Sequence, residues 1–225
     1  MVQAIVTDIE GTTSSLSFVK EVLFPYSARE LPGFVRAHGQ RPEVRRLLDE
    51  ARQMAGGALD DEQLVATLLR WIEEDRKLGA LKGLQGLLWE AGYHQGDFQG
   101  HVYEDVPRRL REWKERGLRL YVYSSGSVHA QTLLFGHTRF GDLTPLFNGY
   151  FDTAVGGKRE AASYAAIVEE LGLPAAQVLF LSDVREELDA AAAAGLRTAC
   201  LVRGEGPQVD PGPHPVARSF DDVHP

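Results

Sequence analysis

Ala4-Ile5-Val6-Thr7-Asp8-Ile9-Glu10-Gly11-Thr12-Thr13 is the stretch that decides the fold. A short apolar, partly β-branched run ends in a carboxylate and then in a turn-prone Gly-Thr-Thr. The pattern reads as a buried strand with an acidic group at its carboxyl end. Three comparable runs follow much later: LRLYVYSS at 118–125, QVLFLSD at 177–183 and RTACLVR at 197–203. All three read as interior strands. Helical segments separate them. One begins near Asp105, with Pro107 in its first turn and Gly117 as its stop. Others are SVHAQTLLFG at 127–136, REAASYAAIVEELG at 159–172 and REELDAAAAAG at 185–195. Strands alternating with helices predict an α/β chain with a doubly wound parallel sheet, covered on both faces. Functional groups in such sheets gather at the carboxyl ends of the strands.

Between the first strand and the next, nearly all of residues 16–100 reads as helix. VRRLLDEARQM at 44–54 and LVATLLRWIEEDRKL at 64–78 carry apolar stripes, the latter through Leu64, Thr67, Leu68, Trp71, Ile72 and Leu78. The expected organisation is an α/β core of residues 1–15 and 101–225 with a helical insertion at 16–100. Phe18, Phe24, Trp71 and Trp89 read as packing residues of the insertion. The run from Gly204 to Pro215 is rich in Gly and Pro and reads as loop.

With 44% hydrophobic and 25% charged residues, the chain has the balance of a globular protein rather than a disordered one. A formal net charge of −8 removes the basic footprint that a nucleic-acid binder needs. The N-terminus has no basic segment followed by a long apolar one, and no run suits a membrane helix. A single cysteine, Cys200, excludes an internal disulfide and reads as a buried core thiol. These features predict a cytoplasmic protein, monomeric, with a small-molecule partner and neither nucleic acid nor membrane.

Four polar groups stand at strand ends: Asp8 with Glu10, Ser124 with Ser125, Lys158 in GGKRE, and Asp183 in LFLSDVREE. Phosphomonoester transfer needs an anionic nucleophile, a metal to neutralise charge, donors for the phosphoryl oxygens and a proton donor for the leaving oxygen. The four groups supply that set. Asp8 and Asp183 offer hard oxygens that suit Mg²⁺, while the histidines show no zinc spacing. Ser124 and Ser125 precede a helix whose N-terminus favours an anion. Lys158 adds a point charge beside the nucleophile. Glu186 and Glu187, in the first turn of the following helix, suit either stabilisation of that N-terminus or a supporting role around the site. The alanines at 190–194 read as a close-packing face.

The ordered set resembles the haloacid dehalogenase superfamily, with DIEGTT, YSSGS, Lys158 and LSDVREELDAAAAAG matching its four motifs in turn. The resemblance implies an aspartyl-phosphate intermediate on Asp8 and a mobile cap formed by the insertion. Two residues after the nucleophile stands Glu10, where most superfamily phosphatases carry Asp. DxEGTT, ALKGLQGLLWEAGY, LYVYSSGSVHAQTLLFG and GYFDTAVGGKREAASY together resemble the bifunctional enolase-phosphatases of methionine salvage. That resemblance implies a 2,3-diketo-5-methylthiopentyl-1-phosphate substrate, first enolised and then hydrolysed. Asp8, Glu10 and Asp183 are the expected Mg²⁺ ligands, and Glu10 acts through its backbone carbonyl, its side chain or both. Asp8, Glu10 and Lys158 are the expected catalytic groups, with Ser124, Ser125 and Lys158 binding substrate. The alternatives are another capped phosphatase acting on a sugar phosphate or phosphoglycolate, and, outside enzymes, a phospho-accepting signalling domain or a silent scaffold. An insertion of this length has no role in the signalling reading.

Overall fold

The structure, a computed structural model, describes residues 1–204 and 210–225. Its α/β part holds the strands β1 (Ala4–Thr7), β2 (Arg119–Tyr123), β3 (Gly149–Phe151), β4 (Val178–Ser182), β5 (Arg197–Leu201) and β6 (Val216–Ala217). They form one sheet in the order β3-β2-β1-β4-β5-β6, with every pairing parallel. β1 is central, Thr7 lying level with Val122 of β2 and Leu181 of β4. From β1 the chain first builds outward on one side, then returns to build on the other. That reversal puts the switch point, and hence a cleft, at the carboxyl ends of β1 and its neighbours.

The four interior strands follow the sequence reading, whereas β3 and β6 were not anticipated. With three and two residues they are too short to carry a period-two pattern. β6 starts just past the stretch read as loop. Asp210–Pro215 has no regular structure, and residues 205–209 of that stretch lie outside the described residues.

Helices divide between two compact units, Met1–Leu16 with Gln99–Pro225, and Ser17–Phe98. The chain enters the second through α1 (Leu16–Phe18) and a π-helical turn at Val19–Leu23. It then forms α2 (Phe24–His38), α3 (Pro42–Met54), α4 (Asp61–Glu73) and α5 (Gly79–Gln95). Asp60 starts α4 with a reciprocal capping box to Gln63, and Gly96 ends α5 in the left-handed conformation at φ +77°. Leu31, Leu48, Leu64, Leu68, Trp71 and Leu84 are among the buried side chains of this unit's core. The helix read over 64–78 is shorter than expected. It stops at Glu73, because Asp75 turns left-handed at φ +51° and the Arg76 amide bonds back to the Trp71 carbonyl. Asp tolerates that conformation better than most residues. Phe18 and Trp71 are buried as expected, while Phe24 and Trp89 are half-buried.

In the α/β unit, α6 (Asp105–Glu115), α7 (Val128–Gly136), α8 (Ala161–Leu171) and α9 (Arg185–Ala193) follow the sequence reading closely. Ala4, Val6, Val178, Phe180 and Cys200 share a core with Tyr164, Ile167 and Leu171 of α8 and Leu188 of α9. Ile5, buried between Ala4 and Val6, points to the opposite face, as strand alternation requires. Of the alanines at 190–194, Ala190 and Ala191 are buried and Ala194 packs at the edge, while Ala192 and Ala193 face solvent. Among the described residues no helix is long and apolar enough to cross a membrane.

Candidate functional site

Asp8 follows β1 directly, and its amide donates to the Leu181 carbonyl at 2.9 Å, so the sheet ladder itself fixes the residue. Its carboxylate is 3% exposed. Oδ1 accepts from the Ile9 amide at 2.8 Å and from Lys158 Nζ at 2.5 Å. Beyond it the chain folds back tightly, with the Ile9 carbonyl accepting from the amides of Thr12, Thr13 and Ser14. Gly11 sits in this loop at φ +73°. A Cβ there would lie 2.1 Å from Oδ2 of Asp183. The glycine of DIEGTT is therefore required twice, by its backbone and by the close approach of a second carboxylate.

Lys158 is brought to Asp8 from the loop before α8. Tyr164 Oη donates to the Lys158 carbonyl at 2.6 Å, Ser163 Oγ to the Gly157 carbonyl at 2.8 Å, and Tyr123 Oη to the Gly156 carbonyl at 2.9 Å. These bonds tie the loop to β2 and α8. The buried ammonium also contacts Glu187 Oε2 at 2.7 Å. Burial alone would lower the Lys158 pKa, but Asp8 and Glu187 outweigh it and hold the ammonium well above its ordinary value.

Ser124, at the end of β2, is fully buried; its Oγ accepts from the Gly126 amide at 3.1 Å and donates to Glu10 Oε2 at 3.4 Å. It thus shapes the turn and links it to Glu10. Ser125 is exposed at the tip of the same turn, and Ser127 caps α7 by accepting from the Ala130 amide at 3.2 Å. Asp183 stands just past β4. Its Oδ1 is buried with no hydrogen-bond partner, and burial, followed by the charge of Asp8, pushes its carboxyl up to about 7. Glu187 is pushed up to about 7 as well, by burial first and Asp8 second.

All six predicted site residues lie in the α/β unit. Asp8 bonds Lys158 and Ser124 bonds Glu10, while Asp183 lies against the Gly11 loop and feels the charges of Asp8, Lys158 and Glu10. Two neighbours complete the cluster. The sequence does not single out Ser182, although a hydroxyl inside the apolar strand VLFLS signals a buried polar group in need of partners. Of the two roles the sequence allows Glu187, its contact with Lys158 favours the one around the site; helical side chains lean toward the N-terminus, so a residue in the first turn of α9 reaches back. Glu186 faces solvent.

The donor set fits a hard divalent cation. Asp183 keeps a buried carboxylate oxygen with no hydrogen-bond partner, and burial, then the charge of Asp8, raises its pKa, so a cation there would be favoured. Among the described residues no group of three or more His, Cys, Asp and Glu stands together as a metal cage. Two carboxylates completed by backbone carbonyl, water and substrate oxygens match the preference of Mg²⁺ rather than Zn²⁺.

Residues 2–195 match the haloacid dehalogenase-like hydrolase family, and with that fold and site the chain is a haloacid dehalogenase-like hydrolase. It is 63% identical to the enolase-phosphatase E1 of Thioalkalivibrio sulfidiphilus, over 99% of either chain. It is 57% identical to that of Methylococcus capsulatus, over 100% of this chain and 99% of the relative. At that likeness over full length it belongs to the enolase-phosphatase E1 family. Among solved structures, the UTR4 protein of Saccharomyces cerevisiae aligns with a TM-score of 0.84 at 37% identity, covering 99% of this chain and 100% of that one. CbbY of Rhodobacter sphaeroides, in complex with phosphate, shares the fold at a TM-score of 0.61 and 20% identity, over 99% and 96%.

Proposed function

We propose that this chain is a magnesium-dependent enolase-phosphatase. It converts 2,3-diketo-5-methylthiopentyl-1-phosphate to 1,2-dihydroxy-3-keto-5-methylthiopentene (acireductone) and phosphate, as a cytoplasmic monomer in which residues 16–100 serve as the cap. Family membership supports the reaction. The observation that carries the mechanism is the buried Asp8 carboxylate, gripped by Lys158 and next to an unpartnered Asp183 oxygen.

In this reading Asp8 attacks phosphorus, forming an aspartyl-phosphate and releasing the enol oxygen; water then cleaves the acyl phosphate and restores Asp8. Lys158 faces the phosphoryl charge in the ground state and the transition state alike, and Ser125 with backbone amides of its turn donates to the phosphoryl oxygens, while Ser124, whose one proton goes to Glu10, shapes that turn. Asp8, Asp183 and the backbone carbonyl of Glu10 would hold Mg²⁺, which would supply positive charge against the phosphoryl group and the diketone. The Glu10 side chain, oriented by Ser124, removes the proton from carbon one and later protonates the leaving oxygen on that same carbon.

The test is turnover of the diketone phosphate with and without Mg²⁺, following enol absorbance and phosphate separately. Both signals, each dependent on Mg²⁺, are expected. Phosphate release from a sugar phosphate or phosphoglycolate with none from the diketone would refute the substrate. Glu10→Gln is expected to lose solvent exchange at carbon one together with hydrolysis; wild-type exchange in that variant would assign the base elsewhere.

A further inference from the structure

Ser182 is the last residue of β4, directly before Asp183, and it is fully buried. Its hydroxyl has one proton and three polar neighbours. It accepts from the Val184 amide at 3.1 Å, lies 3.0 Å from Glu187 Oε2, and lies 3.4 Å from Asp8 Oδ2. Both carboxylate contacts draw on that single proton, with Glu187 the nearer acceptor and Asp8 Oδ2 within reach of the same hydroxyl. Glu187 Oε2 in turn holds Lys158, and Lys158 holds the other oxygen of Asp8. Asp8, Lys158, Glu187 and Ser182 thus close a buried ring around the nucleophile.

The ring has a mechanical consequence. Rotation of an aspartate carboxylate about its last torsion is soft. Lys158 and the Ile9 amide both grip Oδ1, so Ser182 is the side chain that faces Oδ2 in this ring. Its amide contact also forms a turn through Asp183, so one hydroxyl bears on both carboxylates of the site.

We propose that Ser182 is a positioning residue for phosphoryl transfer: by holding Glu187 against Lys158 and facing Asp8 Oδ2, it sets the orientation of the attacking carboxylate. It acts through Asp8 and Glu187 and not on the substrate. The proposal rests on the phosphatase reading above and deepens it. Supporting groups of this kind typically account for about tenfold to a hundredfold in activity.

The experiment measures phosphate release from the diketone phosphate and from p-nitrophenyl phosphate, by wild type, Ser182→Ala, Glu187→Ala and the double variant. Ser182→Ala is expected to lower kcat about tenfold to a hundredfold on both esters, with KM and half-saturating Mg²⁺ within about twofold of wild type. In the Glu187→Ala background most of that loss should vanish, because a ring already open cannot be opened again. Ser182→Cys, close in size but a weak donor, should fall between serine and alanine, and it carries the test should Ser182→Ala not fold. A kcat within about twofold of wild type in both variants, or full additivity of the two losses, overturns the proposal. Wild-type enzyme active on p-nitrophenyl phosphate alone would refute the diketone substrate and leave Ser182 testable; activity on neither ester overturns both.

Discussion

The two compact units differ in what they bury. The helical unit, Ser17–Phe98, hides leucines, valines and Trp71, and apart from tyrosine its buried polar side chains are Ser27 and Gln85, with no buried charge. The α/β unit buries Asp8, Lys158 and Glu187 in mutual contact, with Asp183 alongside. Burying charge costs stability unless it is paired, whereas burying aliphatic surface contributes it. One unit is thus built for packing, the other keeps a cluster with more carboxylates than ammonium groups. An arrangement that opposes stability is where chemistry is to be sought.

The sharpest break in that comparison is Asp8→Asn. It should lower phosphate release by on the order of a thousandfold or more, since an amide is a poor nucleophile, while leaving the melting temperature near or above that of wild type. Next is Lys158→Ala, expected to reduce kcat and raise KM together, with a combined fall in kcat/KM of about a hundredfold to a thousandfold. Movement in neither parameter would make the buried ammonium a structural group only. Trp71→Ala, in the helical unit, should behave in the opposite sense. Urea unfolding should show a loss of about 3–5 kcal/mol, with the α/β cluster chemically intact.

A smaller effect sharpens the contrast through pH. Because the Asp183 carboxyl is raised from 3.8 to about 7, its stabilising contribution to the metal-free protein is full below pH 3.8 and is lost as pH rises through 7. Metal-free Asp183→Asn should therefore melt higher than wild type at pH 8 and near wild type only at about pH 4 or below. Mg²⁺ should reverse the order at pH 8 by stabilising wild type more than the variant. Equal responses to Mg²⁺ in the two proteins would remove Asp183 from the metal site.

The parts of this cluster legible in the sequence were those fixed by local pattern. β1 ending before Asp8 and β4 ending before Asp183 show as apolar runs that stop at a carboxylate, and Gly11 marks the loop that Asp183 approaches. What could not be read is what only tertiary contact creates. Ser182 and Glu187 join Asp8 and Lys158 across three loops, and no spacing along the chain encodes which oxygen meets which proton. β3 and β6 escaped because edge pairing, not periodicity, makes them strands. The helix extended to Leu78 failed on Asp75, whose left-handed backbone no apolar stripe reveals.

The central claim is that the carboxylate of Asp8 itself attacks phosphorus. Acid quenching during turnover of the diketone phosphate with Mg²⁺, followed by borohydride reduction and mass spectrometry of the N-terminal peptide, tests it directly. Homoserine is expected at position 8, formed from an aspartyl-phosphate, in wild type and not in Asp8→Asn. A phosphoryl group trapped on another residue, or rapid turnover with position 8 always recovered as unmodified aspartate, would contradict it.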